Sequence, residues 1–213
     1  MSHPSTTPRF AAAHAKALAE WAAADPLARA AAAHCSVVAT GVEVPFFGST
    51  YLVTHPAGEV TLAGAAEASA PVHVSIGILL LHYLLQAEPV PEARHWLAFR
   101  ELPEGMFYAQ AFAAHAEATL SALVRTEDEA TDMRLQAFTE KCVALGGQPL
   151  DLGDLSYRFQ ALPRLAVAVV LWRGDEDEAG EARLLFDAAA PRLLPTEDLS
   201  GMGDWLAHKL TRA

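Results

Sequence analysis

The chain has 213 residues, of which 52% are hydrophobic and 19% charged, the profile of a folded globular protein long enough to bury a core. Its net charge of −11 and lack of any basic run exclude nucleic acid as an expected partner, because phosphate tracking needs clustered Lys and Arg. The longest apolar stretch, Ile76 to Leu85, is interrupted by His82 and is shorter than the ~20 residues a bilayer requires, so no membrane partner is expected.

Residues 1–8 are polar and carry proline, which predicts a disordered tail. Phe10 to Ala24 is alanine-rich, with Ala13, Ala17 and Trp21 at helical spacing. Asp25-Pro26 then supplies a cap and a first-turn proline for a second helix ending near Cys35. Residues 9–35 thus read as an N-terminal helical segment, followed by one α+β domain over 36–213. Val42 to Gly48, Tyr51 to Thr54 and Val60 to Leu62 are short β-branched or aromatic runs separated by Gly and Pro, which predicts an antiparallel meander. Pro45 points to an edge strand or a bulge. Pro71 to Gln86 is apolar on every side, so this central helix is expected to be buried nearly all round.

Trp96 to Pro103 reads as a strand closed by a Pro103-Glu-Gly105 turn. Helices are predicted over Tyr108 to Val124 and Glu127 to Leu145, the second stopped by Gly146-Gly147. From Tyr157 the pattern is β again, and Leu165 to Trp172 is a continuous apolar run fit for a strand covered on both faces. An acidic turn, a strand at Leu184-Leu-Phe and a last helix capped by Thr196 follow, with Leu199, Met202, Leu206 and Leu210 in one stripe. The sum is α+β: a mostly antiparallel sheet with a buried central helix and further helices packed on it.

Chemistry-bearing residues are few. Asp175-Glu-Asp-Glu178 has the oxygens a hard cation wants, but consecutive turn residues rarely converge, which favours a solvated turn. Asp187 ends a strand and faces either a turn or a pocket. Glu197 and Asp198 open a helix, where acids stabilise through the dipole by ~0.3–1 kcal/mol. His82 sits among Leu79, Leu80, Leu81, Tyr83 and Leu84, so its imidazole needs a hydrogen-bond partner or a ligand. His73 lies on the opposite side of that helix, and no zinc-type histidine spacing occurs. Arg100, on a predicted strand with Trp96, and Arg158, between Tyr157 and Phe159, are paired structural cations or anion clamps, with Asp187 or Asp154 as expected counter-charges. Tyr108 and Gln110 would border the same region. Cys35 and Cys142 are in no paired spacing and read as plain thiols. Phosphate loops, dinucleotide glycines and a nucleophile elbow are absent from the sequence. The opening residues lack a basic stretch followed by an apolar core, so a cytoplasmic protein is expected.

Leu81-His-Tyr-Leu84, Trp96 to Gly105, Phe112, Gly147, Leu162-Pro-Arg164, Trp172 to Glu176, Leu185-Phe-Asp187 and Leu194 to Leu199 together resemble an uncharacterised prokaryotic family, the domain-of-unknown-function family numbered 3786. The likeness runs roughly from Val42 to Leu206. The resemblance implies no assigned activity. It does imply an anaerobic setting and accessory work around corrinoid or iron–sulfur metabolism, although the cysteine-rich segment that some members carry is missing here. The first expectation is therefore a soluble accessory or binding protein for a flat metallocofactor such as a corrinoid or haem, held by His82, Trp96, Arg100, Tyr108, Arg158 and Asp187. A protein–protein interaction module, including a homodimer, is the alternative. A hydrolase using the Asp187 and Glu197 carboxylates is the second alternative.

Overall fold

Small side chains and one tryptophan account for the first element. Helix α1 (Pro8–Ala23) buries Ala17 and Trp21 completely, and its remaining alanines cover surface without adding bulk. Asp25 accepts the Leu27 N–H at 3.0 Å and Pro26 occupies the first turn of α2 (Pro26–Ala33), as the cap signal predicts. The computed structural model describes residues 8–64, 71–126, 128–175 and 177–212. The expected tail, apart from Pro8, lies outside these residues. The chain groups into two units. One takes the chain up to Val90 together with Leu162–Arg164 and Arg192–Leu194, and the other takes the rest.

In the first unit a four-stranded antiparallel sheet runs in the order β1 (Ser36–Val38), β2 (Gly41–Phe46), β3 (Ser49–Thr54), β4 (Val60–Leu62). Pro45 is tolerated in the interior strand β2 because β1 pairs only as far as Glu43, leaving Pro45 with Thr50 of β3 as its sole partner. Beside the sheet lies α3 (Val74–Gln86), three residues shorter at its start than the sequence predicts. Ile78 to Leu81, Tyr83 and Leu84 are buried. Two buried polar atoms are matched across the unit. Trp21 Nε1 donates to the Thr54 carbonyl at 2.8 Å, and the Tyr83 hydroxyl donates to the Ala33 carbonyl at 2.8 Å.

The second unit is built on a five-stranded sheet in the order β5 (Trp96–Ala98), β9 (Glu181–Asp187), β8 (Leu165–Trp172), β7 (Leu155–Leu162), β6 (Gln148–Pro149). Seven residues of β8, Leu165 to Leu171, are buried on both faces, as their unbroken apolar run requires. The helices are α4 (Gly105–Phe112), α5 (Ala118–Ser121), α6 (Thr131–Ala144) and α7 (Thr196–Thr211), with a π-helical turn at Ala113–Glu117 joining the first two. Phe99 stacks on Phe112 with centroids 4.0 Å apart, and Phe186 sits 6.0 Å from each. Gly203 of α7 makes room for that cluster, since a Cβ there would lie 2.6 Å from Phe112.

Four local expectations are corrected. The strand beginning at Trp96 stops at Ala98 and curls into a 3₁₀ turn over Phe99–Glu101, because the Glu101 carboxylate accepts the Ala98 N–H at 2.7 Å and Phe99 turns inward. Arg100 is therefore on an exposed turn and not on a strand face with Trp96. Helix α4 begins at Gly105, where a Cβ would fall 2.1 Å from the Phe99 carbonyl and only glycine fits. Helix α6 starts at Thr131, after a turn in which Arg134 bonds Asp128, Thr131 and the Leu123 and Thr126 carbonyls; Glu127 lies outside the described residues. Thr196 does not cap α7 with its side chain; its hydroxyl donates to the Pro103 carbonyl at 2.6 Å, and Pro195 holds the cap position. The stripe Leu199, Met202, Leu206 and Leu210 is buried as predicted.

The packing of α7 leaves one carboxylate ill served. Asp204 Oδ1 is shut from solvent and accepts no hydrogen bond from the described residues. Desolvation raises its pKa above 3.8, against the opposing charges of His115 and then His208. A raised folded-state value means that the folded protein holds this proton more tightly, so stability falls as pH climbs from 3.8 through the folded value. Asp204→Asn is expected to raise the urea midpoint at pH 7 and to lose that advantage below the window. An unchanged midpoint at both pH values would contradict this account.

Candidate functional site

Of the six residues expected to line a cofactor site, His82 belongs to the first unit and Trp96, Arg100, Tyr108, Arg158 and Asp187 belong to the second. Along α3, His82 alone among residues 78–84 is not buried. His82 is half-buried, so the helix is not buried on every side as expected.

Asp187, Arg158 and Trp96 gather round one short segment, residues 91–95, whereas Arg100 lies on the exposed turn after β5 and Tyr108 is exposed on α4. Asp187 is 2% exposed, and its carboxylate accepts three backbone N–H groups: Ala93 at 2.9 Å, Arg94 at 2.7 Å and Ala189 at 2.9 Å. The Ala188 N–H donates to the His95 carbonyl at 2.8 Å. Trp96 pairs with Asp187 in the strand register, so the end of β9 and the start of β5 are locked together. Arg94 is held at φ +55°, a conformation that a non-glycine residue adopts only when its surroundings insist. Arg158 donates to Glu92 at 2.7 Å and to Gln160 at 2.8 Å. Neither the pairing of Arg158 with Asp187 nor that with Asp154 forms. Glu92, which lies 66 residues earlier in the chain, takes the arginine. The arrangement fastens a loop to a sheet edge.

The other carboxylates do local work as well. Asp175 Oδ1 accepts the N–H groups of Asp177 at 2.9 Å and Glu178 at 2.8 Å, and the Glu178 contact, followed by that of Asp177, holds its carboxyl below the usual range. The acidic run is thus a self-bonded turn, with Glu176 outside the described residues. Glu197 is exposed in the first turn of α7. Cys35 and Cys142 are free thiols; burial pushes Cys35 up to about 12 and raises Cys142 further, so neither is a nucleophile near neutral pH. Among the described residues, no three His, Cys, Asp or Glu side chains come together as a metal site. No helix among them is long and apolar enough to cross a membrane.

Two surface features were not anticipated. The first is the start of α4, where Met106, Phe107 and Tyr108 are 72%, 86% and 42% exposed. A signal for it was present: three consecutive apolar residues on a helix, each turned by roughly 100°, cannot all face one core. Glu101 and Glu104 are exposed next to them in sequence, with Arg100 the nearest cation along the chain. The second feature is an open cleft of about 270 Å³ in the second unit, floored by Leu135, Leu155 and Leu171. At its mouth Arg173 pairs with Asp132 at 3.0 Å, and the Arg173 N–H donates to Asp154 at 2.8 Å. Only folding brings these residues together.

A family model described as a domain of unknown function (DUF3786) matches residues 25–209. No curated protein and no solved structure matches the chain.

Proposed function

Because the chain belongs to the family described as a domain of unknown function, DUF3786, which names no activity, we propose a role from its own residues: a cytoplasmic accessory protein that docks a second, basic protein at Met106–Tyr108. The observation that carries this reading is Phe107, 86% exposed on a helix whose neighbouring residues Gly105 and Phe112 are anchored in a core. Exposed aromatic and methionine side chains on a rigid element are what interface anchors look like before binding. The partner's chemistry follows from charge. A net −11 on the chain and the acids at 101 and 104 oppose a second copy, and favour an apolar pocket rimmed by Lys or Arg. The corrinoid or iron–sulfur setting that the family resemblance implies supplies the context in which such a partner is sought.

A photoreactive residue at position 107, activated in living host cells, is expected to give one discrete adduct with a basic protein. That adduct should be missing when the same residue is placed at Gln136. An adduct with the chain itself, or none above the control, would overturn the reading.

A metallocofactor version rests on the imidazole chemistry of His82, which is half-buried on α3. Titration with haem or cobalamin would then shift the cofactor's absorbance, and His82→Ala would abolish the shift. Identical spectra with and without protein would remove this version while leaving the docking reading intact.

A further inference from the structure

We infer that Arg164 is the anchor of a binding site for a small monocarboxylate. It follows Pro163 in the turn between β7 and β8, a piece of chain that belongs to the first unit together with His34 and Val90. Among the described residues, the half-buried arginines are Arg134, Arg158, Arg164 and Arg183. Arg134 holds Asp128, Arg158 holds Glu92 and Arg183 holds Glu117, at 2.7–3.1 Å. Arg164 is the exception. Its Nη1 donates to the Val90 carbonyl at 3.0 Å and its Nη2 to His34 Nδ1 at 3.1 Å, both neutral acceptors. Its Nε is shut from solvent and donates to none of the described residues. A guanidinium drawn partly out of water ordinarily meets a counter-charge, because neutral acceptors offset only part of its lost hydration. Acids outnumber Lys and Arg by 26 to 15, so a shortage of carboxylates does not explain the exception.

The fixed geometry selects the anion. Val90 and His34 hold the guanidinium in place while Nη1 and Nη2 each keep one hydrogen to donate. A planar pair of oxygens matches that planar donor. A dianion is disfavoured, since Glu88 stands two residues before Val90 and the chain as a whole carries −11. Glu88 does not serve Arg164; its carboxylate takes Arg192. The occupant is small because Arg164 is half-buried, so only the narrow end of a molecule reaches it. This inference does not rest on the docking surface at α4, and either can fail alone.

The test uses the intact protein labelled with ¹⁵N-arginine. The Nε–H of Arg164 is shielded from water, so its NMR signal is sharp, and its absence in Arg164→Lys identifies it. Sodium acetate is expected to shift that signal with half-saturation on the order of 10 mM, as a charge-assisted contact allows. Sodium chloride at equal ionic strength should not, and phosphate at pH 8 should bind at least about threefold more weakly than acetate. His34 is exposed at φ +58°, which Asn and Asp also tolerate. His34→Asn keeps a neutral acceptor and should leave acetate binding intact. His34→Asp supplies an internal carboxylate and should abolish it. A shift that is linear in acetate, an equal shift with chloride, tighter phosphate, or undiminished acetate binding by His34→Asp each overturns the inference. The salt series needs only the wild-type protein, so a misfolded variant does not shelter the idea.

Discussion

Asp187→Ala is expected to lower the unfolding free energy by about 3–5 kcal/mol, the largest effect of any polar substitution in the second unit. The wild-type carboxylate answers three backbone N–H groups at 2.7–2.9 Å. Leaving a buried donor without an acceptor costs roughly 1–3 kcal/mol, and charged acceptors stand at the upper end. The full sum is not expected, because Ala93 and Arg94 are exposed enough for water to reach their N–H groups, whereas Ala189 is 7% exposed. Arg94 at φ +55° adds to the loss, since nothing then holds it in that conformation. Asp187→Asn separates the contributions: one oxygen can still serve Ala93 and Ala189, but the amide NH₂ meets the Arg94 N–H, donor against donor. About half the alanine effect is expected. Urea denaturation measures both. A hydrolase working through Asp187 and Glu197 predicts the reverse, stability unchanged or improved on removing the carboxylate, as when a strained catalytic group is deleted. A loss under 1 kcal/mol for Asp187→Ala would return the residue to the catalytic reading.

Trp21→Ala should destabilise the first unit by about 3–5 kcal/mol, the range for emptying a buried aromatic site. The ring is fully buried, meets His55 edge-on with centroids 5.3 Å apart, and lies over Gly58, whose added Cβ would be 3.3 Å from it. Its removal also leaves the Thr54 carbonyl without its indole donor. Trp21→Phe keeps most of the packing and loses the hydrogen bond, so a smaller cost of about 1–2 kcal/mol is expected. Trp21 precedes the matched stretch 25–209, so the family model leaves out a residue that closes this core. A chain begun at Asp25 would uncover the surface of α3 against which α1 packs. Strong binding of an apolar dye to that truncated protein, absent in the full chain, checks the point. If the truncated chain unfolds at the same urea concentration as the full one, α1 is not part of the core.

How much could be read in advance depended on the range of the signal. The cap at Asp25-Pro26, the meander, the doubly covered β8 and the stripe of α7 are local or periodic. Each follows from which side of a helix or strand must avoid water, and the sequence by itself determines that. The 3₁₀ turn at Phe99–Glu101 was missed because Glu101 bonds back on its own chain, a competition that apolar alternation does not record. The candidate site was legible as residue types and not as roles. Arg158 and Asp187 were noticed, yet their partners are Glu92, 66 positions away, and the Ala93 N–H, 94 positions away. Such pairings are decided only when strands align and loops close, because a charged or polar group bonds whichever complementary atom packing delivers to it. Tertiary structure alone therefore turned Arg158 and Asp187 into fastenings of a loop, left Phe107 uncovered, and set Arg173 against Asp132 over a floor of leucines.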